Sequence, residues 1–263
     1  MIGFCPLASG SKGNAIFVGT KNTRVLIDAG LSLSQLTERL EQIDVEISSI
    51  QAILITHEHS DHIKGLRLVS EKYNIPFFSN AETAKGIYSA LGVKLRSKIF
   101  TTGEPFTFGD VEVHPFSVSH DTLDPVAFTI RFEEIKMGFC ADLGYVTSMV
   151  KKHLQKCHYL YVESNHQPSM VYSSSRPEQL KQRILGKQGH LSNQECGELI
   201  ASVWHEELRH VHLAHLSRDC NTPEVALEVV ENILKTRQIT IPISVAHQDT
   251  VSRAVSFYSD VFR

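Results

Sequence analysis

The sequence predicts an α/β protein of one domain, with mixed sheets covered by helices on their outer sides. Three observations point there. Short apolar runs alternate with helical patterns from end to end. One of those runs, Ala52-Ile53-Leu54-Ile55, is apolar on both faces, as a buried central strand is. No repeat of fixed period and no linker-like stretch divides the 263 residues.

Taken in order, Arg24 to Ile27 reads as a strand ending in the turn Asp28-Ala29-Gly30. Leu33, Leu36, Leu40 and Ile43 then recur at helical spacing behind Ser32 and Gln35, which are placed as a capping box. After the strand at Ala52 comes a histidine-rich run, and His62 to Tyr73 is helical in pattern. Phe106 to Val118 alternates about a turn at Gly109-Asp110, and Val126 to Phe132 with Ile135 to Cys140 forms a hairpin across Glu133-Glu134. Helix and strand then alternate: helix Val146 to Gln155, strand Tyr159 to Val162, a helix from Pro177, helix Ser192 to Glu207 and strand Val211 to Leu213. A last helix opens with Thr222 as cap and Pro223 in its first position.

Composition narrows the function classes. At 42% hydrophobic and 21% charged residues, without low-complexity tracts, the chain can bury a sizeable core, which excludes extensive disorder. A formal charge of -3 gives no global basic signal, so a polyanion would have to be held by a local patch or by metal. The five cysteines are odd in number and scattered, as expected of reduced thiols in the cytoplasm. Met1 to Gly10 lacks the pattern of a signal peptide, and no apolar run reaches the length of a membrane span.

The strongest chemical signal is Thr56-His57-Glu58-His59-Ser60-Asp61-His62, at a strand-to-helix junction. Imidazole nitrogens and carboxylate oxygens are the donors that borderline divalent cations accept, and burying such groups beside an apolar strand is costly unless something binds them. One loop cannot complete two metal shells. Further ligand candidates stand at other strand ends: His120 after Phe116 to Ser119, Asp142 after Met137 to Ala141, and His215 after Val211 to Ala214.

Together these residues resemble the metallo-β-lactamase superfamily over nearly the whole chain. The H-x-H-x-D-H signature is intact at His57, His59, Asp61 and His62, and Leu26-Ile27-Asp28-Ala29-Gly30 is similar to the aspartate motif ahead of it. The resemblance is closer to the YycJ/WalJ group of phosphodiesterases, on Ser9-Gly10-Ser11-Lys12-Gly13-Asn14, Glu163-Ser164-Asn165-His166 and Gly189-His190-Leu191-Ser192-Asn193. It implies a four-layer αββα sandwich with the site at one edge. It also implies one metal on His57, His59 and His120, another on Asp61, His62 and His215, and Asp142 bridging both. A bridging carboxylate holds two cations ~3.5–4 Å apart, the clamp suited to in-line displacement at phosphorus. Zinc and manganese both fit this ligand set. The chain departs from the group at Gln167, where an acidic residue is usual, and along Tyr172-Ser173-Ser174-Ser175-Arg176.

The resemblance implies a phosphodiesterase or nuclease as the leading function, with a 5′→3′ exonuclease on DNA as the form it suggests. A hydroxide shared by the metals would attack phosphorus, with Asp61 and His190 as the catalytic candidates and His190 either contacting the scissile phosphate or protonating the leaving oxygen. Asp28 and Glu163 are expected to orient metal-bound imidazoles through their second nitrogens. Ser11, Lys12 and Asn14, in a tight turn, are candidates to bind a substrate phosphate. The basic stretch Arg176, Lys181, Arg183, Lys187 is a candidate track for a nucleic-acid backbone. His166 is a site-lining candidate, and Cys140 a small buried hydrophobe rather than a nucleophile. Two other classes stay open: a hydrolase of small acyl substrates such as thioesters on the same scaffold, and a metal-free, non-catalytic binding member.

Overall fold

A computed structural model describes residues 1–258; residues 259–263, with which the expected single domain ends, lie outside the described residues. In chain order the first elements are β1 (Gly3–Ala8), β2 (Ala15–Gly19), β3 (Arg24–Ile27), α1 (Leu33–Glu41), β4 (Ala52–Leu54), α2 (Ser60–Ile63), α3 (Leu66–Tyr73), β5 (Phe77–Ser79), α4 (Ala81–Leu91), β6 (Ser97–Ile99), β7 (Phe106–Phe108) and β8 (Val111–Ser117). There follow β9 (Val126–Phe132), β10 (Ile135–Cys140), α5 (Ser148–Leu154), β11 (Tyr159–Glu163), α6 (Pro168–Ser173), α7 (Glu178–Leu185), α8 (Asn193–Val203), β12 (His210–Ala214), α9 (Pro223–Thr236), β13 (Ile243–Val245) and β14 (Val255–Ser256). The chain divides into two compact units. Among the described residues the first comprises Met1–Pro115, Thr122–Val126 and 246–258; the second comprises Phe116–Asp121 and Ala127–Val245.

The first unit contains a mixed sheet in the order β14-β1-β2-β3-β4-β5-β6. Its β14 to β3 portion is antiparallel, whereas β3, β4, β5 and β6 run parallel. Leu36 and Leu40 of α1, Leu66 and Val69 of α3 and Ile87 of α4 close a core over Leu7, Phe17, Leu26, Ile53 and Phe77. The capping box expected at Ser32 and Gln35 forms and starts α1. The helical pattern from His62 to Tyr73 is interrupted: α2 ends at Ile63 and α3 begins at Leu66, where the Gly65 amide turns away to donate to the Ala29 carbonyl at 2.8 Å. The hairpin β7/β8 turns at Gly109, whose φ of 60° is the left-handed conformation that glycine adopts without strain.

In the second unit β13-β12-β11-β10-β9 are consecutive neighbours of a second mixed sheet. The β9/β10 hairpin is antiparallel with Phe132 opposite Ile135, and β10, β11, β12 and β13 are parallel. Helices α5, α8 and α9 cover this sheet through Val150, Leu154, Cys196, Leu199, Ile200, Val203, Ala226 and Val230, packed with Leu160, Val162, Val211 and Leu213. Helix α8 ends at Val203, earlier than the sequence pattern suggests, with extended backbone already at Trp204.

No helix among the described residues is long and apolar enough to cross a membrane. All five cysteines are free and buried. Burial pushes the thiols of Cys5, Cys157 and Cys196 up to about 12 and raises Cys140 as well. Only the thiolate reacts, so a disulfide reagent at pH 8 is expected to modify none of these four in folded protein and all four after denaturation. Rapid native labelling of Cys140 would contradict its reading as a packing residue.

Candidate metal centre

In both units the candidate ligands other than His120, which follows β8, sit at or just after the C-terminal ends of parallel strands, where open α/β sheets place their sites. Asp28 follows β3, and the histidine run follows β4. Asp142 lies after β10, Glu163 is the last residue of β11, and His215 follows β12. Three of these residues occupy left-handed backbone, with φ of 61° at Asp28, 53° at Asp142 and 56° at His215. Side chains other than glycine pay of order 1–3 kcal/mol for such a conformation, which clusters where function requires it.

Within the first unit, backbone hydrogen bonds clamp the histidine loop to the turn after β3. Ala29 N–H donates to His62 O, Asn14 N–H to Asp61 O and Gly30 N–H to Asn14 O, each at 2.8 Å. Gly30 is required by this approach, because a Cβ there would lie 1.6 Å from the Asp61 carbonyl oxygen. Asp28 is the hub of the side chains. Its Oδ2 lies 2.8 Å from His62 Nδ1 and 2.9 Å from Thr56 Oγ1, and its Oδ1 accepts the Thr56 amide at 2.9 Å. A carboxylate only accepts, so His62 Nδ1 carries the proton and Nε2 is left as the donor atom. The Thr56 hydroxyl, committed to Asp28, accepts from His57 Nδ1 at 3.0 Å, which fixes the same tautomer there. His59 stands at the position before α2 without a side-chain capping bond, its ring edge-on to His57 at 4.8 Å between centroids. The Asn14 amide nitrogen lies 3.2 Å from Asp61 Oδ2 and 3.0 Å from His62 Nε2. Ser11 and Lys12, by contrast, line an open cleft of ≈ 560 Å³ with Ser60, Asp61, Lys64 and Gln248.

Within the second unit Glu163 plays the corresponding part. It is 0% exposed, and its Oε1 accepts from both His190 Nδ1 and His215 Nδ1 at 2.9 Å. Its Oε2 accepts the amides of Leu143 at 2.8 Å and Leu191 at 3.0 Å. Burial by itself would raise the Glu163 pKa, but the nearby His190 and the hydrogen bonds from His190 and His215 outweigh it and hold the carboxyl well below its usual range. His120 Nδ1 donates to the Gly189 carbonyl at 3.1 Å, again leaving Nε2 as the donor atom. Asp142 Oδ1 stands 3.3 Å from His215 Nδ1, 3.5 Å from His190 Nδ1 and 3.7 Å from His120 Nε2. Donor atoms of Asp142, Glu163, His190 and His215 all lie within 4.8 Å of one another.

A buried polar network aligns the motifs around Glu163. Asn193 and Asn221 exchange amide hydrogen bonds at 2.9 Å, Ser164 Oγ donates to Asn193 Oδ1 at 2.7 Å, and Asn221 Nδ2 donates to the Ser164 and Asn165 carbonyls. Asn165 in turn donates to the His215 carbonyl at 2.7 Å and steadies its strained backbone. The basic stretch is engaged locally: Arg176 pairs with Asp219, Arg183 with Asp121, and Lys181 donates to the Tyr172 carbonyl. Sequence reasoning missed Thr56 and the Gly189 carbonyl, because a hydroxyl beside a strand end and a main-chain oxygen carry no distinctive signal. The donor sets fit divalent cations. Carboxylates or a carbonyl take the Nδ1 protons of His62, His120, His190 and His215, and the Thr56 hydroxyl that of His57, which leaves Nε2 of each as the lone-pair atom.

Fold and site define a class. The chain belongs to the metallo-β-lactamase superfamily of hydrolases: a family model described as a beta-lactamase superfamily domain matches residues 23–213. It is 37% identical over 236 residues to exodeoxyribonuclease YycJ of Bacillus anthracis, covering 89% of each chain. It is also 33% identical over 248 residues to exodeoxyribonuclease WalJ of Streptococcus pneumoniae, covering 93% of this chain and 92% of that one, which sets it in the YycJ/WalJ group. The metallo-beta-lactamase fold protein YhfI from Bacillus subtilis superposes with a TM-score of 0.72 at 13% identity, over 95% of this chain and 97% of that one. That likeness gives the chain the α/β sandwich fold expected from its sequence.

Proposed function

We propose that the chain is a dinuclear-metal exodeoxyribonuclease, with His57, His59 and His120 holding one divalent cation, Asp61, His62 and His215 the other, and Asp142 shared by both. The observation that carries this reading is the common tautomer. His62, His120, His190 and His215 each have Nδ1 tied to a carboxylate or carbonyl, and His57 reaches Asp28 through Thr56. A solvated polar loop has no need of such an arrangement; cation ligands do. The YycJ and WalJ relatives are named exodeoxyribonucleases, and that likeness supports a DNA phosphodiester as substrate.

When bound, a pair of zinc or manganese ions lowers the pKa of a water and neutralises charge on the non-bridging phosphate oxygens. The chain's own residues do the rest. Asp28 and Glu163 hold the imidazoles in one tautomer and one orientation. His190, its Nδ1 proton held by Glu163, would take a second proton from solvent at Nε2 and, as the imidazolium, contact the scissile phosphate and give that proton to the leaving oxygen. Lys12 and Ser11 face the phosphate next along the strand from their cleft, while Asn14 acts through Asp61 and His62. The test is digestion of end-labelled single- and double-stranded DNA and RNA with added manganese or zinc. Stepwise loss of DNA from one end, abolished by EDTA, is expected. Cleavage of thioesters with no digestion of either nucleic acid would replace this reading by the acyl-hydrolase one.

A further inference from the structure

The second unit holds a cleft of ≈ 640 Å³ that no part of the metal-ligand set explains. His190 stands on its wall together with His166, Tyr145, Tyr172, Ser192 and Gln194. The volume is in the range of small-molecule sites, and the lining combines aromatic faces with a few polar groups. Tyr145 and Tyr172 are 40% and 66% exposed, so two large rings are kept on the surface here rather than buried. His166 is 2% exposed, yet its Nδ1 makes no hydrogen bond within the protein. Its burial lowers the pKa, so the ring is neutral and offers one N–H and one acceptor nitrogen.

Acidic groups on the same wall do not make this a cation site. Glu195 is committed to the cap of α8, accepting from Ser192 N at 3.0 Å and Ser192 Oγ at 2.7 Å, and Glu198 pairs with Arg237 at 2.9 Å. Lys187 lies over the Tyr145 ring, 5.8 Å from its centre, and adds positive charge beside one aromatic face. Rings, a neutral imidazole, an amide and a nearby ammonium are the groups that receive a nucleobase and its phosphate.

We infer that this cleft is a base-binding subsite for the nucleoside adjoining the scissile phosphate, with Tyr172 and Tyr145 offering stacking faces and His166 a hydrogen bond to the base edge. The inference rests on the proposed nuclease reading, because His190 is what joins the cleft to the phosphate. Stacking is insensitive to base identity, so the subsite favours single-stranded ends without specifying sequence.

The test compares single-stranded oligodeoxynucleotides that carry a normal or an abasic terminal nucleotide, at either end, with the metal-loaded full-length protein. For the wild type, the abasic residue at the attacked end is expected to raise KM about tenfold, as loss of one base–aromatic stack does. The Tyr145→Ala/Tyr172→Ala double variant is expected to raise KM for normal DNA by a similar factor and to lose most of the abasic effect, since the two changes remove the same stacking contact and only the His166 contact is left. Tyr88→Ala, an equally exposed tyrosine on α4 of the first unit, is the control and keeps the wild-type abasic effect. An unchanged KM in the double variant, or an abasic effect that persists in it at wild-type size, overturns the subsite while leaving the nuclease reading intact. No metal-dependent digestion of DNA by the wild type would overturn both.

Discussion

Replacing Asp142 by alanine is expected to lower DNA hydrolysis by at least about 10³-fold, the scale on which loss of a preorganised electrostatic group registers. The protein would keep its fold and lose bound metal. Asp142 is 3% exposed, and its Oδ1 stands within 3.7 Å of nitrogen atoms on His120, His190 and His215. Its left-handed backbone shows that the chain accepts strain to aim this carboxylate. Without it, three imidazoles face a space that no longer offsets cation charge. Activity and metal content should fall together while the circular dichroism spectrum is retained. Near-normal turnover in D142A would remove this residue from the proposed ligand set.

Glu163→Gln is the second large effect, and it separates orientation from ligation. The carboxylate accepts four hydrogen bonds, two from imidazoles and two from backbone amides. An amide of the same shape accepts at only one of its two terminal atoms and donates at the other. If the NH2 group faces the histidines, His190 and His215 lose the acceptor for their Nδ1 protons, and a proton moved to Nε2 of His215 removes the lone pair it would offer a metal. If it faces the loop, the amides of Leu143 and Leu191 meet a donor. Either way, metal affinity is expected to fall 10- to 100-fold, the usual cost of losing a group that orients a ligand. A chelator-competition titration would read that loss directly. Glu163→Asp, which keeps an acceptor-only group, should recover part of it. Equal affinity for wild type and E163Q would show that Glu163 serves packing alone.

Much of this architecture was legible in the residues, for identifiable reasons. Strand β3, the box that starts α1 and the β9/β10 hairpin were read with their observed bounds, because a cap, a turn or an apolar run marks each edge. The helix capped by Thr222, with Pro223 first, is likewise where its sequence puts it. Other parts carried no local signal. Strands β1 and β2 are buried along their whole length, so neither shows the alternation that announces a half-exposed strand. Helix α4 holds Gly86 in its middle and buries only Thr83 and Ile87, while β5 and β6 have three residues each. The break between α2 and α3 depends on a hydrogen bond from Gly65 to Ala29, a tertiary contact that helical spacing cannot announce.

At the site the same division holds. Three histidines and an aspartate within six residues after a buried strand announce ligand chemistry by density alone. His120, Asp142 and His215 are single residues at strand ends, distinguishable from turn residues only through family resemblance. The hydrogen bonds of Asp28 and Glu163 became visible only once the strands had brought β3 beside β4 and β11 beside β12. Thr56 shows what sequence hides: it is an ordinary threonine until its hydroxyl is seen linking His57 to Asp28.

The most direct test of this account is the metal content of the full-length chain, purified without chelator, loaded with manganese or zinc and freed of excess ion. Two equivalents per chain are predicted for the wild type, with fewer in D142A. Failure to retain any metal, or full DNase activity from protein holding none, would contradict it.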